Sequence, residues 1–231
     1  MIGVPQALAL ALGQMFDGAV LRVLLKSVSV SLIAFAVLGF AGWYLLDGVL
    51  AWGGLDDTSF AGAEAARGLL SLLAVIAALW FGWRIVAMAV VQFFADDVVV
   101  AVERRHYPQA ADLARSLSFG EEARKAAGSA GRALLVNAIA LPFALVLLFT
   151  AIGPFVVFLI VNAVLIGREL QDMVWLRHRR EKGDKAPLSR TERLLLGAAI
   201  AGLLLIPIAN FIAPVLGAAA ATHLVHRRMA A

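Results

Sequence analysis

The chain has 231 residues, 62% of them hydrophobic and only 16% charged, with a mean hydropathy of +0.88. Soluble domains carry about 25% charged residues, so this is the composition of an integral membrane protein. The formal charge of +4 does not indicate a nucleic-acid partner, because Lys and Arg flank apolar blocks as topology signals instead of forming a basic stripe. The absence of cysteine excludes disulfide frameworks, iron–sulfur clusters and thiol chemistry.

Met1 to Phe16 is apolar but has no Lys or Arg ahead of its core, as a secretory signal requires. It reads as an amphipathic helix lying along the membrane interface. Ser27 to Leu46, uncharged between Lys26 and Asp47, is long enough for one full span, with Trp43 and Tyr44 suited to the lipid–water boundary. In the acidic linker 47–67, Gly53-Gly54 and Asp56-Asp57 mark turns. Gly68 to Ala95 is a second span holding one charge, Arg84, and its length makes it tilt or project beyond one face.

Asp96 to Arg132 is polar. The pattern predicts a helix continuing out of the second span, a turn near Tyr107-Pro108 and an amphipathic helix through 111–127.

Two uncharged runs follow, Ala133 to Gly167 and Leu194 to Thr222. The first is too long for one crossing of roughly 20 residues and too short for two with a turn between them. Each holds turn-forming residues at its middle: Gly153-Pro154 in one, Pro207, Asn210 and Pro214 in the other. Each therefore reads as a hairpin that enters the bilayer and leaves by the same side, and broken backbone at that depth requires a protein-buried or wet setting. Leu147-Leu148, Ile152 and Phe155 recur as Leu203-Leu204, Ile208 and Phe211 at the offset that maps Ala163 onto Ala219, which suggests two copies of one device.

Charge sets the sidedness. Arg22, Lys26, the 96–132 stretch, the basic 168–193 stretch and the Arg227-Arg228 pair read as cytoplasmic, and 47–67 as external. Two spans and two same-side hairpins satisfy every assignment; four simple spans would put 168–193 outside. The expectation is one all-α membrane domain over 1–231, with two long transmembrane helices, two hemipenetrating (re-entrant) hairpins and an amphipathic N-terminal helix.

Thr150-Ala151-Ile152-Gly153-Pro154-Phe155, Ala163-Val164-Leu165 running into Glu169 to Trp175, and Ile206 to Val215 give the chain a resemblance to the CysZ family of bacterial sulfate permeases, also described by an etoposide-induced-protein domain. Phe81-Gly82-Trp83 and Ala101-Val102-Glu103 fit the same pattern. The resemblance implies oligomeric assembly in the bacterial inner membrane as a multi-pass protein, sulfate uptake feeding cysteine synthesis, and an anion site at a Gly-Leu-Arg-type motif before the first long helix. Here that region reads Asp17-Gly18-Ala19-Val20-Leu21-Arg22. Two residues separate Gly18 from Leu21-Arg22, and Val23 stands where a second Arg is expected. Ala95-Asp96-Asp97 replaces the expected Ala-Pro-Phe after the second span.

Gly18, Leu21 and Arg22 are thus the candidate anion-binding residues. A turn at Gly18 opening a helix presents backbone N–H groups and a positive dipole end, and Arg22 adds a clamp suited to an oxyanion. Lys26 lies one turn on. Arg22 and Lys26 also read as topology charges snorkelling to headgroups, and Asp17 would repel an anion unless it points away. Candidate pathway residues are Lys26, Arg84, Asn162 and Asn210. Arg84 faces either a bundle interior or the interface, while Asn137, Asn162 and Asn210 suit hydrogen bonds across helices or to broken backbone. His223 and His226 read as tail residues facing headgroups, and no metal site, cofactor or catalytic residue is expected: the chain lacks His-Glu-x-x-His, a Gly-x-Ser-x-Gly elbow and a phosphate-cradling loop. The reading is an ATP-independent permease or channel for sulfate or a related oxyanion, in contact with membrane lipids, homo-oligomeric and without nucleic acid. The alternative is a non-transporting scaffold that organises lipids or partners through its basic loops.

Overall fold

A computed structural model describes the backbone of residues 3–54, 62–150, 152–181, 183–206 and 209–230, and the side chains among them except those of 81, 83–93, 210 and 211. Every regular element among the described residues is helical: α1 (Val4–Gln14), α2 (Gly18–Trp52), α3 (Ala63–Phe93), α4 (Ala95–His106), α5 (Pro108–Leu113), α6 (Phe119–Val146), a 3₁₀ turn (Leu147–Phe149), α7 (Gly153–His178), α8 (Arg190–Leu204) and α9 (Ala209–Met229). Among the described residues, four helical stretches are long and apolar enough to cross a bilayer: Gly18–Trp52, Ala63–Trp80, Phe119–Phe149 and Gly153–His178. Their large apolar side chains point outward, with Trp80 74% and Phe149 93% exposed. Exposure on that scale is untenable in water and natural in lipid. The protein is an all-helical membrane protein.

The helices form two compact units, residues 24–93 and residues 1–23 with 94–231. In the first, α2 runs 35 residues, roughly 50 Å at 1.5 Å per residue, against ~30 Å of hydrocarbon. It overruns the predicted Ser27–Leu46 at both ends because nothing between Gly18 and Trp52 breaks a helix. Arg67 on α3 reaches back to Asp47 on α2, Nε to Oδ1 at 2.8 Å, and Gly54 and Gly62 flank the connection with positive φ of 96° and 92°, backbone that glycine adopts without strain. The predicted Asp56-Asp57 turn lies outside the described residues.

The second unit is built around α9, whose residues 213–226 are buried on every side. A helix apolar all round belongs inside a core, and the small side chains of Ala218 to Ala221 let α1, α4, α7 and α8 all pack against it. Val4, Ala7, Ala11 and Gln14 form the buried stripe of α1. The predicted amphipathic helix through 111–127 is replaced by two elements: α5 stops at Leu113, and α6 starts after Ser118, whose hydroxyl accepts the Glu121 N–H while the Glu121 carboxylate accepts the Ser118 N–H. This capping box carries α6 from polar into apolar sequence without a break. Ser189 and Glu192 open α8 in the same way.

Both apolar runs fold back on themselves. Ser129 on α6 donates to Glu169 on α7 at 2.6 Å, so the polar start of one helix meets the polar end of the next. Likewise Arg228 at the end of α9 donates Nε–H to Glu192 at the start of α8 at 2.7 Å. The starts of α7 and α9, Gly153 and Ala209, fall at the offset that maps Ala163 onto Ala219, so the sequence repeat coincides with a repeated helix break. The pairs are joined by direct backbone contact between α7 and α8. A Cβ on Gly197 would collide with the Ala163 carbonyl, and one on Gly167 with the Arg193 carbonyl.

No side-chain rotation relieves a clash with backbone. We expect Gly197→Ala to cost about 1–3 kcal/mol, read as a lower thermal midpoint in detergent. Gly202→Ala on the same helix, where the new methyl meets nothing within 4 Å, leaves the midpoint unchanged or raises it. Equal midpoints would remove the contact from this description.

Candidate anion site and its buried polar support

The start of α2 is open. Gly18, Leu21 and Arg22 are all exposed, and a Cβ on Gly18 would meet nothing within 4 Å. Asp17 precedes the helix, and its carbonyl accepts the Leu21 N–H at 2.8 Å. The Asp17 carboxylate is drawn to α4, with Oδ2 at 3.1 Å from Arg105 Nε and 3.7 Å from His106 Nε2. The acid that would repel an anion is therefore engaged by two groups of another helix. Arg22 makes no ion pair among the described residues, and Lys26 stands exposed one turn along α2.

What holds α4 in place is a buried carboxylate. Glu103 falls on the buried stripe of α4 with Val98, Val99 and Val102 and is 0% exposed. Its Oε1 lies 2.7 Å from His178 Nε2 on α7 and 3.0 Å from His226 Nε2 on α9, while Oε2 is 3.5 Å from Arg177 Nη2. Burial by itself pushes this carboxyl up, but the two imidazole hydrogen bonds and the Arg177 charge outweigh it and hold the group at about 2. The ionised oxygen only accepts, so both imidazoles donate from Nε2.

A second thread runs from α1 through α9. His223 Nε2 is 2.8 Å from Gln14 Oε1 and Nδ1 is 2.8 Å from the Tyr107 hydroxyl. The amide oxygen accepts, so Nε2 donates, and Nδ1 takes the Tyr107 O–H, which leaves the ring neutral. Burial first, then electrostatic repulsion from His106, Arg227 and His226, lowers its pKa to about 4. Tyr107 also stacks on His226, ring centroids 4.6 Å apart. His223 and His226 are thus interior groups, which corrects the headgroup-facing tail expected from their place near the end of an apolar run. The reason is that α9 is wrapped on all sides.

Glu103, His178 and His226 offer donor atoms within 4.8 Å of one another, the right types for a transition metal. Arg177 already supplies positive charge beside that carboxylate, and both imidazole N–H groups are directed at Oε1, so the trio stands as an ion-pair network, in which Oε2 accepts no hydrogen bond among the described residues.

Other sequence-derived candidates stand apart from this cluster. Asn162 donates to the Phe158 carbonyl of its own helix at 2.8 Å, and Asn137 to that of Ala133 at 2.8 Å. The side chains of Arg84 and Asn210 lie outside the described residues. Asp96 and Asp97 sit in the first turn of α4, where acids complement the helix dipole. Glu103, His178, Tyr107 and Gln14 were missed as a group, although a carboxylate spaced with Val98, Val99 and Val102 is a readable sign of burial.

The sequence model of one protein family, described as sulfate transporter CysZ/etoposide-induced protein 2.4, matches residues 7–214. The chain belongs to this family. Comparison with curated proteins and with solved structures gave no match. The CysZ-family match covers α1 to the first turns of α9, and so includes the α2 start, Glu103, Arg177 and His178. His223 and His226 lie beyond it.

Two outcomes test this polar core. In Glu103→Ala, His178, His226 and Arg177 lose their shared partner. The loss of a buried pair costs about 3–5 kcal/mol, seen as reduced yield of monodisperse protein. His223 takes its proton near 6.5 in the unfolded chain and near 4 when folded, so the unfolded state binds more protons between those values. Stability is full above pH 6.5 and declines toward pH 4. The thermal midpoint should fall between pH 7 and pH 5, and fall less in His223→Gln. Parallel curves for the two proteins would assign the acid sensitivity to other groups.

Proposed function

We propose that this chain is an ATP-independent permease or channel for sulfate or a related small oxyanion, a multi-pass protein of the bacterial inner membrane that works as a homo-oligomer. Family membership supports the transporter class. The observation that carries the site is the open start of α2. Exposed Gly18, Leu21 and Arg22 lie in the first turns of α2, and the neighbouring acid is held by Arg105 and His106. A helix N-terminus with an Arg clamp suits a tetrahedral oxyanion. Lys26, Arg84, Asn162 and Asn210 are assigned as pathway residues on their sequence context, as polar groups within or beside apolar runs.

We further propose that α6–α7 and α8–α9 enter the bilayer part-way and return, within one membrane domain. The wholly uncharged parts of α6 with its 3₁₀ turn (133–149) and of α7 (153–167) fall short of roughly 20 residues, so a full crossing by either helix, which its length would allow, draws charged residues toward the hydrocarbon. The Ser129–Glu169 and Glu192–Arg228 bonds tie the two ends of each hairpin together. This keeps the basic 168–193 stretch on the same side as 96–132, as the positive-inside bias requires. The broken segments between the arms then belong to a route lined by protein.

Radiolabelled sulfate flux into proteoliposomes tests the reading. Wild type should exceed empty vesicles, and Arg22→Ala should fall by roughly tenfold, the equivalent of one lost charge-assisted contact. Absence of flux in wild type abandons the permease in favour of a membrane scaffold; undiminished flux in the variant moves the site.

A further inference from the structure

The α6–α7 hairpin carries a cavity of about 220 Å³ that the α2 site does not involve. Its basic lining comes from Arg115 in the segment before α6, Arg124, Lys125 and Arg132 on α6, and Arg179 just after α7. Among the described residues, the acids on its wall are Glu121 and Asp172, so the balance is positive.

Both acids are already committed. Glu121 accepts Arg115 Nη1 at 2.9 and 3.0 Å and caps Ser118. Asp172 is shared by Arg132 at 3.8 Å and Arg168 at 3.7 Å. Arg124, Lys125 and Arg179 make no ion pair among the described residues. The wall is also fixed: the Arg115 N–H donates to the Arg177 carbonyl at 3.0 Å, which fastens the segment before α6 to the end of α7. A rigid concavity that gathers several cations of one sign, with its own carboxylates spent, lacks a counter-anion.

The size and setting define that anion. The cavity takes one tetrahedral group, not a polymer. Arg132 and Arg168 are the last charges before α6 and α7 turn apolar at Ala133 and Gly167, so the cavity lies beside the polar boundary of the membrane. Leu117 and Leu176 supply an apolar patch in the wall.

We propose that this cavity is a second oxyanion site, separate from the α2 start, which binds a phosphate-type group carried by an anionic lipid headgroup or free in solution. The guanidinium groups of Arg124 and Arg179 grip the oxygens from two helices, and Lys125 adds a point charge. Occupancy clamps the polar ends of α6 and α7 together. The site does not depend on whether the chain transports anything.

The test uses full-length protein and the variant R124Q/K125Q/R179Q, which touches only exposed and half-buried side chains. In one arm, delipidated protein in detergent is titrated with sodium sulfate and with inorganic phosphate against chloride at matched ionic strength, and the thermal midpoint is followed. In the other, protein is released from nanodiscs of phosphatidylglycerol or of phosphatidylcholine, and retained lipid is counted by native mass spectrometry. The triple variant should bind on the order of a hundredfold more weakly, at about 1 kcal/mol for each of the basic residues removed, in at least one arm. Loss in the salt arm alone identifies a free oxyanion; loss in the phosphatidylglycerol arm alone identifies a lipid headgroup. R22A run in parallel separates the two sites, because oxyanion binding that survives R22A and is lost in the triple variant belongs to this cavity. Indistinguishable behaviour of wild type and triple variant in both arms overturns the proposal.

Discussion

The Glu103 carboxylate is the constraint on which the larger unit is organised. One buried oxygen is held by imidazoles from two different helices, and its twin faces a guanidinium. Desolvating a carboxylate is costly, and only several simultaneous partners offset it. Because those partners come from α7 and α9, the ion cluster registers three helices against one another, a task that the interchangeable Ala, Val and Leu contacts around it perform poorly. The next residues of α4, Arg105 and His106, are thereby placed to engage Asp17. The electrostatics at the opening of α2 thus follow from an interior charge on another helix.

Much of the architecture was legible because membrane insertion writes strong patterns. Uncharged runs, flanking cations and mid-run Gly-Pro give the helices, their breaks and the hairpin pairing directly, since lipid tolerates little else. The capping boxes at Ser118 and Ser189 were equally readable, and the first explains why α6 begins later than a count of apolar periodicity suggests. Less visible was which apolar run would be wrapped by protein and which would face lipid. The runs 133–149 and 209–222 are alike in carrying no charge, yet Phe149 is 93% exposed and Ala218 to Ala221 are fully enclosed. The difference lies in side-chain size: four consecutive alanines permit close approach from every side, whereas Leu, Ile and Phe of α6 fill a lipid-facing surface.

The candidate sites divide along the same line. Gly18, Leu21 and Arg22 are local in sequence, so a motif can find them. Gln14, Glu103, Tyr107, His178, His223 and His226 come from α1, α4, the residue after α4, α7 and α9, and no spacing rule brings them together. Only Glu103 gave notice, as a charge on an apolar stripe. The histidines gave none, because their meaning depends on the burial of α9.

That burial has a consequence for biogenesis. The helix at the middle of this unit leaves the ribosome after all the others that surround it. Until it arrives, the docking stripe of α1 and the charged face of α4 have nothing to lean on, and Glu103 lacks one of its imidazoles. Assembly of this unit is therefore a late, concerted event. Nascent chains stalled short of α9 would present to chaperones and membrane proteases an unfilled core whose acid is held from α7 alone.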